Sequence, residues 1–176
     1  MGVSVILTVV GSDRPGLTQA IADAVLRAGG NWLESQLSRL GGKYVGAVLV
    51  EITETDLARL EDAVKAIDPA TLSVTLIEAA ADGPADGHML TLELVGADRL
   101  GIVREVTGVL AGLNVNIEDF DTAIDHGAWS GEPIFRARAT LTVPADVDPD
   151  QVVAALEAIS GEIMVDLTVS GVPATA

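Results

Sequence analysis

The sequence predicts an α+β chain built as two tandem ferredoxin-like βαββαβ domains, each an antiparallel sheet with its helices on one face. Three observations carry this. Val10-Gly11-Ser12-Asp13-Arg14-Pro15-Gly16-Leu17 matches Val95-Gly96-Ala97-Asp98-Arg99-Leu100-Gly101-Ile102, and the correspondence runs without a gap to Asn31 and Asn116. Behind each copy of the motif, apolar residues recur at helical spacing. Around each helix lie β-branched runs of strand length.

The elements follow in order. Val3 to Val10 is an apolar, β-branched run and reads as a buried strand. Leu17, Ile21, Ala24, Val25 and Ala28 then mark one face of a helix, at the i, i+4, i+7, i+8, i+11 positions. Two strand-like runs follow, Asn31 to Leu40 and Tyr44 to Ile52, hinged at Gly41-Gly42, a hairpin signal. Leu57, Leu60, Val64 and Ile67 predict a second helix, and Leu72 to Ile77 a last strand. The second copy repeats the order. Its strands are Met89 to Val95, Asn116 to Asp125, Ile134 to Val143 and Ile163 to Val169. Its helices carry Ile102, Val106, Val109, Leu110 and Leu113, then Val152, Val153, Leu156 and Ile159. The connector from His126 to Pro133 is longer than its counterpart. Two crossovers around a hairpin give the split βαβ arrangement. The expected domains are 1–80 and 88–171, joined by a small-residue linker at 81–87 and followed by a tail at 172–176. The strands look apolar on both sides, so the face away from the helices needs a cover. Self-association, as a homodimer or larger, is expected.

Composition narrows the function. Apolar residues make up 49% of the chain, enough for a real core, but aromatics only 3%, which disfavours base-stacking surfaces. The formal net charge of −16 argues against direct nucleic-acid binding, which depends on Lys and Arg displacing counterions, and against anionic membranes. No cysteine is present, so disulfides, thiolate catalysis and Cys-ligated metals are excluded. The only histidines, His88 and His126, stand far apart in the chain, and no metal or cofactor is expected. The opening strand lacks a basic leader and breaks at Gly11-Ser12-Asp13-Arg14, which makes a cytoplasmic location the simplest expectation.

The loop between the first strand and first helix of each copy is the strongest chemical pattern. Asp13 and Asp98 are placed to cap the helix, and Gly16 and Gly101 leave its first N–H groups open to a small anion such as a carboxylate. Arg14 and Arg99 offer a charge-assisted fork. A capped βα turn with glycine for close packing fits the same residues, and the sequence leaves both readings open. Asn31 and Asn116, each opening the second strand, serve equally to bind a ligand or to hold a turn. Glu118, Asp119, Asp121 and Asp125 read as a solvated acidic strand, with Glu118 and Asp119 alternating between faces. No nucleophile–base pair and no Gly-rich phosphate loop is present, so no enzyme activity is expected.

The loops at 13–17 and 98–102, the stretch Asn114-Val115-Asn116-Ile117-Glu118-Asp119 and the βαββαβ order together resemble the ACT domain family of regulatory modules. A free-standing pair is similar to the glycine cleavage system transcriptional repressor family. The resemblance implies a ligand, an amino acid such as glycine or serine, bound between paired domains. It places that ligand near Asp13, Arg14, Pro15, Gly16, Leu17 and Asn31, and near Asp98, Arg99, Gly101, Ile102 and Asn116. It further implies action through a partner protein on transcription of amino-acid metabolism, or service as the detached regulatory subunit of an amino-acid or folate-linked enzyme. A purely structural oligomerisation module is the third reading. Two departures set the copies apart: Leu100 stands where the motif has proline, and Trp32-Leu33 where it has an aliphatic-acidic pair.

Overall fold

The computed structural model describes residues 2–80, 87–126, 132–159, 161 and 163–169. Most of the expected linker, part of the connector after His126 and the tail lie outside them. The chain divides into two compact units, Met1–Asp82 and Gly83–Ala176.

Unit 1 runs β1 (Gly2–Ser12), α1 (Leu17–Ala28), β2 (Asn31–Leu40), β3 (Lys43–Thr53), α2 (Leu57–Lys65) and β4 (Leu72–Glu78). A 3-10 turn over Glu54–Asp56 leads into α2. Unit 2 repeats this as β5 (His88–Ala97), α3 (Ile102–Gly112), β6 (Asn116–His126), β7 (Pro133–Val143), α4 (Pro149–Glu157) and β8 (Met164–Val169). The sheet orders are β2-β3-β1-β4 and β6-β7-β5-β8, and every pairing is antiparallel. Both units are therefore ferredoxin-like, with the two crossover helices returning each chain to the far end of its sheet.

The helical periodicity places the core. In α1 the buried residues are Leu17, Ile21, Ala24, Val25 and Ala28, and in α3 they are Ile102, Val106 and Leu110. They meet Val5, Leu7 and Val9 of β1 in one cluster and Leu90, Leu92 and Leu94 of β5 in the other. Alternate strand residues thus face the helices, and those between them face away. Leu40 pairs with Lys43 across Gly41 and Gly42, whose φ values of 57° and 78° suit a two-residue primed turn. The chain also breaks the expected alternation. In β2 the register shifts between Trp32 and Glu34, and in β6 between Ile117 and Asp119. Leu33 and Glu118 occupy these bulges, so Glu118 does not simply alternate with Asp119.

The outward faces differ more than the sequence suggests. In unit 1 that face is apolar and hydroxylic, as expected. In unit 2 its middle row is Glu93, Arg138 and Asp121, cross-strand neighbours on β5, β7 and β6. The expectation of strands apolar on both sides therefore fails for unit 2. Short alternating runs such as Phe135-Arg136-Ala137-Arg138 bury only every second residue.

Candidate functional site

Each first loop ends in a glycine held left-handed: Gly16 at φ 87° and Gly101 at φ 89°. These glycines are the N-caps of α1 and α3, and neither helix has a side-chain cap. Asp13 and Asp98 are therefore not the caps that the sequence suggests. Three residues separate each from its helix, and the left-handed turn at the glycine starts the helix without them. Asp13 instead pairs with Arg39 Nε at 3.2 Å, and the Asp98 backbone N–H donates to the Pro133 carbonyl at 3.1 Å. The first-turn N–H groups of a helix have no partner within it. A Cβ built at Gly16 or Gly101 would meet no atom within 4 Å, so both turns open onto free space. Pro15 and Leu100 are exposed beside them, while Leu17 and Ile102 are buried as the first core residues of their helices.

The two arginines are already engaged, each differently. Arg14 pairs with Asp68 at 3.3 Å, reaching the loop that follows α2. Hydrogen bonds from Thr71 and, secondarily, the Arg14 guanidinium hold the Asp68 carboxyl below its ordinary value. Arg99 makes a two-pronged contact with Glu105 on the first turn of α3. Its hydrogen bonds lower the Glu105 pKa in turn. Ala20 occupies the corresponding position in α1. Each unit thus places a carboxylate of its own on its motif arginine, Asp68 from the loop after α2 in unit 1 and Glu105 from the first turn of α3 in unit 2.

The surroundings of the two loops differ as well. Beside the first loop the hairpin brings Arg39 opposite Tyr44, whose hydroxyl lies 2.7 Å from Thr18 Oγ1. At the matching places beside the second loop stand Ile124, Phe135 and Val103. One loop end is cationic and hydroxylic, the other apolar. The motif alone did not point to Arg39, Tyr44, Thr18 or Asp68. The Gly41-Gly42 turn carried the signal, since it sets the register that lays Arg39 and Tyr44 beside the loop.

The asparagines are not part of this cluster within a unit. Asn31 sits level with Glu51 and Ser4, whereas the loop follows Ser12, eight residues further along β1. At ~3.4 Å per residue the separation is about 27 Å, far beyond the reach of one amino acid. Asn116 is related to its loop in the same way, level with Thr142 and Met89. Its Nδ2 donates to Glu118 Oε1 at 2.7 Å, and Thr142 Oγ1 donates to the same oxygen at 2.7 Å. The Thr142 bond, then the Asn116 bond, lower the Glu118 pKa. Asn31 has Leu33 at the bulge instead, and so lacks this carboxylate.

Two open depressions lie on the outward sheet faces. One of about 530 Å³ is lined by Ile6, Gln36 and Leu49 among others. The other, of about 410 Å³, is lined by Glu93, Asp121, Arg136 and Arg138 among others. Neither includes a residue of the loops at 13–17 and 98–102. Among the described residues no group of three or more His, Asp or Glu is placed to hold a metal ion, and no helix is long and apolar enough to cross a membrane.

Comparison with known proteins agrees with this architecture. Residues 4–71 match the family model of the ACT domain. A solved structure of an unknown protein from Galdieria sulphuraria is 26% identical, with a TM-score of 0.85 over 97% of this chain and 100% of that one. A candidate glycine cleavage system transcriptional repressor is 15% identical, with a TM-score of 0.70 over 97% of this chain and 99% of that one. No curated protein matches the sequence significantly. The first unit thus matches the ACT domain model over most of its length, and both units share an ACT-like fold.

Proposed function

We propose that this tandem ACT-domain protein is a non-catalytic regulator that binds a small amino acid, glycine or serine, and acts through protein–protein contact. The supporting observation is the first loop. It has an uncapped helix N-terminus behind a left-handed Gly16, open space in front, and Arg14 and Arg39 at its flanks. Unpaired N–H groups and the helix dipole favour a carboxylate there. The ligand carboxylate faces Leu17 and Thr18 in this reading, and Asp13, Arg14 and Pro15 shape the turn. The second loop, with Asp98, Arg99, Gly101 and Ile102, is the weaker site, because Ile124 and Phe135 stand beside it where the first loop has Arg39 and Tyr44.

Asn31 contributes to the same ligand only if a second copy of the chain brings it to the loop, given the ~27 Å within one unit. Asn116 in turn is committed to Glu118. An accessory role in transcription of amino-acid metabolism rests on the name of one structural relative and on the resemblance of the motif. With a net charge of −16, such a role runs through a partner protein rather than through DNA.

The test is calorimetry with glycine and L-serine on the wild type, Gly16→Val and Asn31→Ala. The wild type should bind one ligand per chain. Gly16→Val should abolish binding, and Asn31→Ala should weaken it. Binding that survives both changes in folded protein would put the site elsewhere and leave the loop as a helix start only. No binding of either amino acid, with other amino acids raising the melting temperature, would refute the ligand but keep the regulator.

A further inference from the structure

The two helix pairs pack differently. In unit 1, α1 offers alanine at positions 24 and 28, both fully buried, and α2 lies close against it. Arg59 of α2 donates to the Ala28 carbonyl and is held by Asp56 at 3.1 Å, so one side chain ties the helices together. The in-register repeat puts Val109 and Leu113 at the same places in α3. Both are larger than alanine, and both stay partly exposed at the edge of the core. Interiors are close-packed, so added methylenes at an alanine's place hold the neighbouring helix off. α3 and α4 accordingly touch far less than α1 and α2. No side-chain hydrogen bond or ion pair joins them among the described residues.

The gap is a groove of about 500 Å³ lined by Arg104, Glu105, Gly108, Val109 and Ile159. Its floor is aliphatic. Gly108 stands where α1 has Asp23, and a Cβ built on it meets no atom within 4 Å. The charges sit at one end. Glu105 is taken by Arg99. Arg104 has no side-chain partner among the described residues. The chain has 26 acidic and 10 basic residues, and most of the basic ones form ion pairs. A guanidinium left without a carboxylate, beside an aliphatic groove, departs from that pattern.

We infer that this groove binds a small anionic amphiphile, a straight-chain carboxylate with its head on Arg104 and its tail on Val109 and Ile159. The planar guanidinium fork matches a carboxylate, and one fork matches one negative charge. A tail of about six to eight carbons spans the ~7.5 Å of helix from Arg104 to Val109. The groove falls within the size range of small-molecule sites. A free α-amino acid fits it poorly, because Glu105 is engaged and the lining has no other carboxylate for the ammonium. The groove lies in the helix layer of unit 2 and uses neither Gly16 nor Gly101. It stands whether or not glycine or serine binds at the loops.

Calorimetry with sodium octanoate tests it. The wild type should bind one octanoate per chain, with Kd tightening about two- to fourfold per methylene from butyrate upward. Octanol and octylamine, which lack the negative head, should bind about tenfold more weakly or worse. Arg104→Gln should weaken octanoate about tenfold and erase its advantage over octanol. Gly108→Leu fills the groove and favours the helix, so it should abolish binding while circular dichroism stays native. Gly16→Val should leave octanoate binding intact, which separates this groove from the first loop. Octylamine binding as tightly as octanoate, octanoate binding indifferent to Gly108→Leu, or its loss in folded Gly16→Val would overturn the site. So would the absence of both heat and a Gly108 amide shift at millimolar octanoate. A sedimenting mass that falls in Gly108→Leu would give the groove to a second copy and overturn the ligand.

Discussion

Gly16 and Gly101 form a matched pair, and replacing each by alanine separates the cost of the backbone from the loss of a ligand. Their φ values differ by two degrees, and an added Cβ meets nothing within 4 Å at either. Sterics therefore contribute nothing, and only conformation remains. A non-glycine residue in the left-handed region costs about 1–2 kcal/mol. Alanine returns ~0.4–1 kcal/mol by restricting the unfolded chain. The net expectation is a loss of about 1 kcal/mol at each position, equal within error, lowering the melting temperature of a unit this size by roughly 4–8 °C. Asparagine tolerates the same backbone region and should restore most of that loss.

Binding should distinguish the two. If the Gly16 methyl denies a ligand carboxylate one charge-assisted bond to a first-turn N–H, about 1.5–3 kcal/mol is lost, roughly 10- to 150-fold in Kd. Gly101→Ala should leave Kd unchanged, since the second loop has Ile124 in place of Arg39 and is the weaker site. Denaturant titration and calorimetry on both variants provide the numbers. Equal loss of affinity in the two, or none in Gly16→Ala, would refute the asymmetry. A destabilisation well above ~3 kcal/mol at Gly16 would refute the open space on which the reasoning stands.

Further outcomes are expected. Tyr44→Phe removes the hydroxyl pair with Thr18 and copies Phe135 of unit 2; it should cost about 0.5–1 kcal/mol in denaturant titration, because Thr18 is exposed. Leu92→Ala, at a fully buried position, should cost roughly 2–5 kcal/mol by the same measurement. Glu118 has a lowered pKa in the folded state, so its contribution is present above the unfolded carboxylate value of about 4.3 and is lost as pH falls through the folded value. Thr142→Val should move that titration upward toward the ordinary value, read by carboxyl NMR. The contribution is small, since Glu118 is exposed. Pure protein should show no gel shift with duplex DNA at physiological salt, given the charge of −16.

The sequence by itself determined the repeat, the order of elements, the buried helix faces and the hairpin at Gly41-Gly42. These depend on local periodicity and on glycine punctuation, which a chain carries along its length. It also located the two loops and their glycines, since a left-handed turn before a helix has a local residue preference. Tertiary structure decided which groups those loops face. Asp13 looked like a cap until the hairpin supplied Arg39, and Arg14 and Arg99 looked alike until Asp68 and Glu105 claimed them. Loop and asparagine looked like one site because they are close in sequence to the same helix. The helix runs the length of the sheet, so its two ends cannot meet within a unit. The bulges at Leu33 and Glu118 shifted the outward register of β2 and β6, and with it the face on which each acidic residue lies. Such pairings join residues far apart in the chain, and no local pattern records them until the strands are in register.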